Sequence, residues 1–265
     1  MLRCCVGLGL LLAACSSARP VALASGEAVR LASDLVVRRL AEHVYVVTHE
    51  KPWPANSVVV EARDGTLVLV GSPYTTEATE RVLAWLGERF GTRKRVAIDT
   101  HFHDDAGIGG NLAFHGAGIP IYGSALTVRL LSERRQEPGV PPDHVFELEQ
   151  GLELPLGEPV RVVFPGPGHT ADNVVVFFPQ KRLMVGGCLI KAGSTIGNVA
   201  DADLAHWAAS VRKLDGYDFD VLVPGHGERF DRGMLEKHDP FDRDRRRQVG
   251  LVTHCHFDDF NRAPH

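Results

Sequence analysis

Side chains that bind transition metals occur in four short segments of this 265-residue sequence. Two histidines lie two positions apart, a carboxylate follows two positions later, and one cysteine and two more histidines come further along the chain. Imidazole, thiolate and carboxylate together suit Zn²⁺, whereas Ca²⁺ and Mg²⁺ prefer sites made of oxygen atoms. The candidate zinc ligands are His101, His103, Asp105, His169, Cys188 and His226.

The size of this ligand set predicts two Zn²⁺ per chain. A catalytic zinc ion normally uses about three protein ligands and keeps one position open for water. Because six candidates exceed that number, the simplest division is a pair of zinc ions that share a bridging hydroxide. Zinc lowers the pKa of bound water to roughly 7, so such a centre can attack a carbonyl group at neutral pH without a serine nucleophile.

Apolar periodicity predicts the elements that must position these ligands. Strands and amphipathic helices alternate along the chain, and each ligand segment is predicted to follow a strand, where glycine and proline allow sharp turns. This alternation indicates helices packed on a sheet, in a single α/β domain over residues 34–232. We predict strands at residues 35–39, 44–48, 57–62, 66–70, 96–98, 119–122, 145–148, 160–164, 174–178, 183–185 and 219–223, and helices at residues 77–90, 109–115, 125–135 and 204–214.

The ligands lie in four motifs, HFHDDAGIGGN, PGPGHTADNVVV, GGCLIK and VPGHG, and a fifth motif, GNVADADL, contains Asn198. Between about Val44 and Glu228 the chain resembles the metallo-β-lactamases, specifically the subclass whose second zinc ion is held by Asp, Cys and His. The resemblance implies a four-layer αββα sandwich with the site along one edge of the two sheets. It assigns the first zinc ion to His101, His103 and His169, and the second to Asp105, Cys188 and His226.

The same resemblance implies that a zinc-bound hydroxide hydrolyses the amide bond of penicillins, cephalosporins and carbapenems, which confers antibiotic resistance. Asp105 and Asn198 are the predicted catalytic residues, and the Asn198 amide is expected to polarise the lactam carbonyl group and bind the substrate there. Lys191 is expected to bind the substrate carboxylate. Trp53 lies in a loop where the family has a mobile flap, and it either covers an apolar face of the substrate or packs on its own loop.

Two positions depart from the patterns of related proteins. Hydrolases of the wider superfamily usually read His-x-His-x-Asp-His, but Ala106 occupies the last of these positions, which favours the lactamase type of second site. Gly71 stands where the subclass often has a supporting aspartate, and this loss predicts zinc binding that is roughly ten- to a hundredfold weaker. Two other functions stay open: a zinc-binding lipoprotein without catalytic activity, and a hydrolase of lactones or thioesters.

The N-terminus predicts export and lipid attachment. Residues 1–14 combine one cation with an apolar stretch that is too short to span a bilayer, as in a signal peptide. The sequence Leu12-Ala13-Ala14-Cys15 resembles a bacterial lipobox. It implies a lipid on Cys15, a flexible tether over residues 15–33 and anchoring to the outer membrane in the periplasm. A plain secretory peptide, cut after Ala14 or Ala18, is the alternative.

Charge limits the partners of the chain. The 29 basic and 33 acidic residues give a formal charge of −4, so we do not expect nucleic acid to bind. The expected partner is a small-molecule β-lactam, the expected membrane contact is the lipid on Cys15, and the chain is expected to be a monomer. Residues 233–265 are densely charged and are predicted to form a poorly ordered tail, without a second metal site at its segment His254, Cys255 and His256.

Overall fold

Two β-sheets and five α-helices form the part of the chain that the computed structural model describes, residues 28–134, 139–193 and 197–237. The strands are β1 (Ala28–Ala32), β2 (Leu35–Ala41), β3 (Val44–His49), β4 (Ala55–Glu61), β5 (Leu67–Val70), β6 (Arg95–Ile98), β7 (Ile121–Ser124), β8 (His144–Phe146), β9 (Leu152–Pro155), β10 (Pro159–Val163), β11 (Val175–Phe178), β12 (Leu183–Lys191) and β13 (Val221–His226). The helices are α1 (Thr76–Phe90), α2 (Asn111–Gly116), α3 (Ala125–Glu133), α4 (Trp207–Arg212) and α5 (Met234–Lys237).

The first sheet contains β1 to β8 in sequential order, and the second has the order β13-β12-β11-β10-β9. In the first sheet β1 to β5 pair antiparallel and β5 to β8 pair parallel. In the second sheet β12 and β13 are parallel, and their neighbours are antiparallel. The carboxyl ends of β6 and β13 therefore carry the segments with His101 and His226.

The alternation of side chains along the strands divides the core into layers. Val58 and Val60 of β4 pack into the core between the two sheets, whereas Val59 faces the cluster that includes Val82 and Leu86 of α1. On the outer face of the second sheet, a third cluster joins β11 and β12 to α4. Helices thus cover the outer face of each sheet, and the predicted four-layer αββα sandwich is confirmed.

Helix α1 has stabilising residues at both of its ends. The Thr75 side chain accepts a hydrogen bond from the backbone N–H of Ala78 at the N-terminus, and Gly91 ends the helix with a φ of 67°. Glu77 lies in the first turn and Arg89 in the last, where each charge complements the helix dipole. In the part of the chain that the structure describes, neither α1 nor any other helix is long and apolar enough to span a membrane.

Three elements were missing from the sequence-based prediction. Strand β1 pairs with β2, so the predicted flexible tether over residues 15–33 is wrong for residues 28–32. Helix α5 lies in the predicted disordered tail, where Met234 is buried in the core around α4. β9 is a short strand at the edge of the second sheet. Each is only four or five residues long, so its stability comes from tertiary contacts that local periodicity does not report.

Strand β12 is longer than predicted, because Gly186 and Gly187 do not end it. They were interpreted as a turn, which would place Cys188 after the strand. Instead β12 continues to Lys191, with Cys188 inside it, and His226 is the last residue of β13 and does not follow it. A side chain at Gly186 would lie 2.5 Å from Ile190, so the glycine is required by packing within the strand.

Candidate metal centre

Three imidazoles meet at the edge of the sandwich. The ring centroids of His101, His103 and His169 lie 5.0 to 5.1 Å from one another. Nδ1 of His103 lies 3.1 Å from Nε2 of His169. Two ligands of one tetrahedral zinc ion are about 3.3 Å apart when each Zn–N bond is about 2.0–2.1 Å. This spacing therefore fits two ligands of a single ion.

The neighbouring threonine fixes which nitrogen of His101 is available. The Thr100 hydroxyl donates its one proton to the carbonyl oxygen of Ala106 at 2.7 Å. It must therefore accept the hydrogen bond from Nδ1 of His101, which lies 2.9 Å away. Nε2 of His101 is left as an acceptor, buried and without a hydrogen-bond partner among the described residues. A buried lone pair of this kind is expected of a metal ligand.

Asp201 likewise determines which nitrogen of His103 is available. Its carboxylate accepts a hydrogen bond from Nε2 of His103 at 2.9 Å, so Nδ1 carries the lone pair that faces His169. Asp201 lies within the motif GNVADADL, which by itself indicates no role for this residue. Only the fold brings it to His103, which lies 98 positions earlier in the chain.

Asp201→Asn is expected to weaken binding of the first zinc ion by roughly tenfold, because a neutral amide stabilises the His103 ring less than a carboxylate does. This loss of affinity is at the low end of the range for groups that hydrogen-bond a metal ligand, since the Asp201 side chain is 49% exposed. Competition with a chromophoric chelator would measure the dissociation constant. Asp203→Asn is the matched control, because the Asp203 carboxylate binds His206 and not a predicted ligand. Equal losses in the two variants would contradict the assignment.

The other three predicted ligands form a second group beside the first. Nε2 of His226 lies 3.0 Å from Oδ2 of Asp105 and 3.4 Å from Sγ of Cys188, and the thiol lies 3.8 Å from Oδ2 of Asp105. Donor atoms around one tetrahedral zinc ion lie about 3.3–3.6 Å apart when nitrogen, oxygen and sulfur are combined. The arrangement fits an ion held by carboxylate, thiolate and imidazole.

Strand irregularities bring Cys188 into this group. The pairing of β12 with β13 shifts after Gly187, so that the next paired residue on β12 is Lys191, opposite His226. Gly187 has a φ of 53°, in the region that glycine adopts most easily. A side chain at Gly225 would lie 2.7 Å from the Cys188 sulfur, so glycine is needed for this close approach.

The two groups adjoin each other. Each of three overlapping sets of side chains has its potential ligand atoms within 4.8 Å of one another. Two of these sets mix residues that the sequence assigned to different ions, which is expected when two metal positions are neighbours. The three sets are His101, His103 and Asp105; His101, His169 and Cys188; and Asp105, Cys188 and His226.

Burial and mutual charge set the protonation of the ligands. Burial lowers the pKa of His169 to about 3, and burial with the nearby imidazoles also holds the pKa of His101 well below its usual range. Burial alone would raise the pKa of Asp105, but the hydrogen bond from His226 and the neighbouring histidines bring it below its usual value. Two neutral imidazoles and an ionised carboxylate are thus ready to bind a metal.

The thiol of Cys188 differs from these ligands. Burial, the charge of Asp105 and a hydrogen bond to it all raise the pKa of Cys188 well above its usual value. The metal-free protein therefore holds a protonated thiol, and zinc binding must release this proton. As a result, the affinity of the second position falls as the pH is lowered.

The structure describes the surroundings of each predicted substrate-binding residue. Lys191 ends β12 and reaches Gly197, since a Cβ there would lie 2.8 Å from its Nζ. The exposed Asn198 accepts a hydrogen bond from the backbone N–H of Ala200 through Oδ1, which leaves its NH₂ group to donate. Trp53 is 68% exposed, so it does not pack on its own loop.

Sequence reasoning missed Tyr74, which supports the loop with Trp53. Its hydroxyl donates a hydrogen bond to the carbonyl oxygen of Trp53 at 3.0 Å. Burial raises the pKa of Tyr74, and the charges of Asp105 and Cys188 act in the same direction, so the phenol stays neutral. No motif of the sequence marked this residue, because its contacts come from distant segments.

The structure gives a physical reason for glycine at position 71, which the sequence alone did not show. Its φ is 64°, and a Cβ there would lie 2.0 Å from the carbonyl oxygen of Ala106. Any side chain at this position would collide with the backbone next to Asp105. The loop is instead held by hydrogen bonds of Ser72, which donates to the carbonyl of Gly107 and accepts from the backbone N–H of Gly110.

A family model described as the metallo-beta-lactamase superfamily matches residues 51–226. The chain belongs to this superfamily. It is 36% identical over 187 residues to "Metallo-beta-lactamase type 2" of Bacillus cereus, which covers 69% of this chain and 70% of that protein. The protein of the same name from Pseudomonas aeruginosa is 32% identical over 77% of this chain and 82% of its own length.

Solved structures of the superfamily have the same fold. The metallo-beta-lactamase from Pontibacter korlensis superposes with a TM-score of 0.69 at 31% identity and covers 83% of this chain and 100% of that chain. The enzyme from Erythrobacter litoralis gives a TM-score of 0.70 at 31% identity, over 80% and 96% of the two chains. The resemblance inferred from the five motifs is therefore confirmed at the level of the superfamily.

Two predicted sites lie outside the described residues. Cys15, with the signal peptide and most of the tether, precedes residue 28, and the segment His254, Cys255 and His256 follows residue 237. The lipid anchor, the periplasmic location, the monomeric state and the absence of a second metal site stay predictions.

Proposed function

We propose that this chain is a zinc-dependent β-lactamase that hydrolyses the amide bond of penicillins, cephalosporins and carbapenems. The observation that carries the proposal is the Asp105, Cys188 and His226 group, which adjoins a group of three imidazoles in a metallo-beta-lactamase fold. Two Zn²⁺ per chain fit these donor sets, the first at the imidazoles and the second at the mixed group. The relatives named as metallo-beta-lactamases support the same reaction.

When bound, zinc supplies Lewis acidity and water of lowered pKa for attack on the lactam carbonyl carbon. The side chains of the chain itself have three tasks here. Thr100 and Asp201 hold the imidazoles in the tautomers that bind metal, and Asp105 holds the second ion as an ionised carboxylate. Asn198 donates a hydrogen bond to the carbonyl oxygen as negative charge develops there, which is worth about 3 kcal/mol for a well-placed donor.

Lys191 and Trp53 are proposed to bind the substrate. The ammonium group of Lys191 lies three residues past a metal ligand and attracts the carboxylate that penicillins, cephalosporins and carbapenems share. The exposed ring of Trp53 offers an apolar surface on the loop above the site. Both contacts select for an anionic molecule with an apolar face.

The partial exposure of the second group argues against a storage role. The side chains of Asp105 and His226 are 22% and 19% exposed, so solvent and substrate have access to the ligands. A zinc-binding lipoprotein without activity needs a closed site with four protein ligands for each ion. The geometry favours catalysis.

Parallel rate measurements test the proposal against the alternative substrates. The zinc-loaded protein is expected to hydrolyse nitrocefin and a carbapenem, and a chelator is expected to abolish this activity until zinc is restored. The same preparation is assayed with a lactone and a thioester. Faster turnover of either ester than of both lactams, or lactam turnover that survives metal removal, would contradict the proposal.

Lys191→Ala is expected to lower kcat/KM for a carbapenem by roughly 10- to 100-fold, mainly through a higher KM, because a charge-assisted hydrogen bond is worth about 1.5–3 kcal/mol. Lys94→Ala is the matched control, since Lys94 is exposed. It directly precedes β6, at the end of that strand opposite to the segment with His101. Steady-state kinetics with both variants measure the effect. An unchanged KM for Lys191→Ala would remove this residue from the substrate site.

We also propose that Cys15 is lipidated after residues 1–14 are removed and that the protein is a monomer anchored to the outer membrane from the periplasm. The motif Leu12-Ala13-Ala14-Cys15 supports this proposal. Mass spectrometry of the mature N-terminus tests it. An unmodified terminus at Cys15, or a terminus at Arg19 or another later residue, would contradict it.

A further inference from the structure

The turn that carries His226 is bound by the side chain of Asn56. The Asn56 amide nitrogen donates one hydrogen bond to the carbonyl oxygen of Pro224 at 3.1 Å and another to that of Gly227 at 2.8 Å. These two carbonyls lie on either side of His226. Asn56 is only 4% exposed, so the bonds form inside the protein, where water does not compete with them.

The orientation of this amide is fixed from its other side. The Thr48 hydroxyl donates a hydrogen bond to Oδ1 of Asn56 at 2.9 Å. Both amide protons and the amide oxygen therefore have partners. In a flipped amide, Oδ1 would face the two carbonyl oxygens, and two acceptors cannot form a hydrogen bond. All of the hydrogen bonds of Asn56 that the structure gives go to the protein itself, which indicates a structural role.

The residue directly before β4 also orients the His226 ring. Nδ1 of His226 donates a hydrogen bond to the carbonyl oxygen of Pro54 at 2.8 Å, so Nε2 is the nitrogen that faces Cys188 and Asp105. Pro54 lies two residues before Asn56. One short segment of the first sheet thus holds both the backbone and the imidazole of a ligand that belongs to the second sheet.

The opposite side of the turn packs on β12. The backbone N–H of Ala192 donates to the carbonyl oxygen of His226 at 2.8 Å, and Gly225 approaches the Cys188 sulfur closely. The turn is therefore held between β12, which carries Cys188, and β4, which carries Asn56. A change at Asn56 removes two of the three hydrogen bonds on this side, which gives His226 more freedom to move relative to Cys188.

We propose that Asn56 is a positioning residue for the second metal ion, acting through the turn from Pro224 to Gly227. The inference rests on the two-zinc centre of the proposed function. Because the side-chain hydrogen bonds of Asn56 hold the turn that carries His226 and involve none of the three imidazoles, its loss selectively weakens the Asp, Cys and His position. Partners that orient a metal ligand typically contribute ten- to a hundredfold to affinity.

Cobalt titration of the metal-free protein tests this proposal, since Co²⁺ accepts the same ligands and a thiolate-to-cobalt charge-transfer band reports occupancy at Cys188. In Asn56→Ala, the Co²⁺ equivalent that produces this band is expected to bind more weakly, with a dissociation constant roughly 10- to 100-fold higher. The other equivalent is expected to keep its affinity within about threefold. Asn56→Ser, which leaves a smaller cavity and one hydroxyl donor, is expected to show a smaller loss of the same kind.

Val60→Ala is the matched control, because Val60 is a fully buried residue of the same strand and packs between the sheets, away from the turn. It is expected to lower the thermal midpoint without weakening the charge-transfer equivalent. The proposal is overturned if either Asn56 variant binds both equivalents like the wild type, if both equivalents weaken equally, or if Val60→Ala gives the same loss.

The wild-type titration separates this proposal from the proposed function. A wild-type protein without a thiolate band would overturn the two-metal centre and, with it, the role of Asn56. A wild-type band that is unchanged in the Asn56 variants would overturn the role of Asn56 alone. Circular dichroism of each metal-free variant verifies that it is folded before the titration.

Discussion

Cys188→Ser is expected to lower the rate of lactam hydrolysis by at least about a hundredfold and to remove one of the two proposed zinc ions. A group that only orients a ligand is worth ten- to a hundredfold in affinity or activity, so the loss of a ligand itself should reach at least the upper end. A serine hydroxyl keeps nearly the same shape but stays protonated near neutral pH and binds zinc weakly. Asp105 and His226 would then have to hold the second ion with one water in place of the thiolate.

Zinc content per chain and the rate with a carbapenem, both measured at neutral pH, determine the outcome for Cys188. Cys255→Ser serves as the control for the loss of a thiol, because Cys255 lies in the C-terminal segment and belongs to neither ligand group. It is expected to retain both ions and the wild-type rate. If Cys188→Ser also retained two ions and full activity, the mixed group would not be a metal site.

Gly71→Ala is expected to destabilise the metal-free protein by roughly 3 kcal/mol or more. A φ of 64° disfavours alanine by about 1–2 kcal/mol, and overpacking in a tight site typically adds about 1–3 kcal/mol. The added methyl group would lie 2.0 Å from the carbonyl oxygen of Ala106, so the loop must move. Since Ala106 follows Asp105 directly, this movement is also expected to weaken the second metal position.

Gly65→Ala separates the cost of the backbone conformation from the cost of the close contact. Gly65 has a φ of 85°, and a Cβ there would have nothing within 4 Å. This variant is expected to lose only the backbone contribution, about 1–2 kcal/mol, and to keep wild-type zinc affinity. Urea unfolding of both metal-free proteins measures the difference. If the two variants were equally destabilised, the close contact between Gly71 and Ala106 would have no energetic role.

The candidate metal ligands could be picked out from the sequence, because side-chain type and close spacing are properties of neighbouring residues. Asp105 follows His103 by two residues, and each later ligand sits in a glycine-containing segment. Side-chain type alone indicated zinc, and the number of candidates indicated two ions. The layered fold was also predictable, because long apolar alternations and the amphipathic α1 report burial directly.

Elements stabilised by tertiary contacts were less predictable. β1 and α5 are short, and their sequences have no strong period of their own. β12 contains two glycines that normally indicate a turn, yet its pairing with β13 continues past them and keeps them in a strand. Local sequence signals were outweighed in each case by contacts with distant segments.

The sequence by itself determined which side chains can bind zinc and the kind of sandwich that carries them, since donor chemistry and apolar periodicity are properties of neighbouring residues. Only the tertiary structure decided which nitrogen of each imidazole is available and how the ligand segments are held. Thr100, Asp201 and Asn56 act on ligands through hydrogen bonds that span as few as one and as many as 171 positions of the chain. Such bonds depend on the directions of side chains after the two sheets have packed, which the spacing of residues along the chain does not contain.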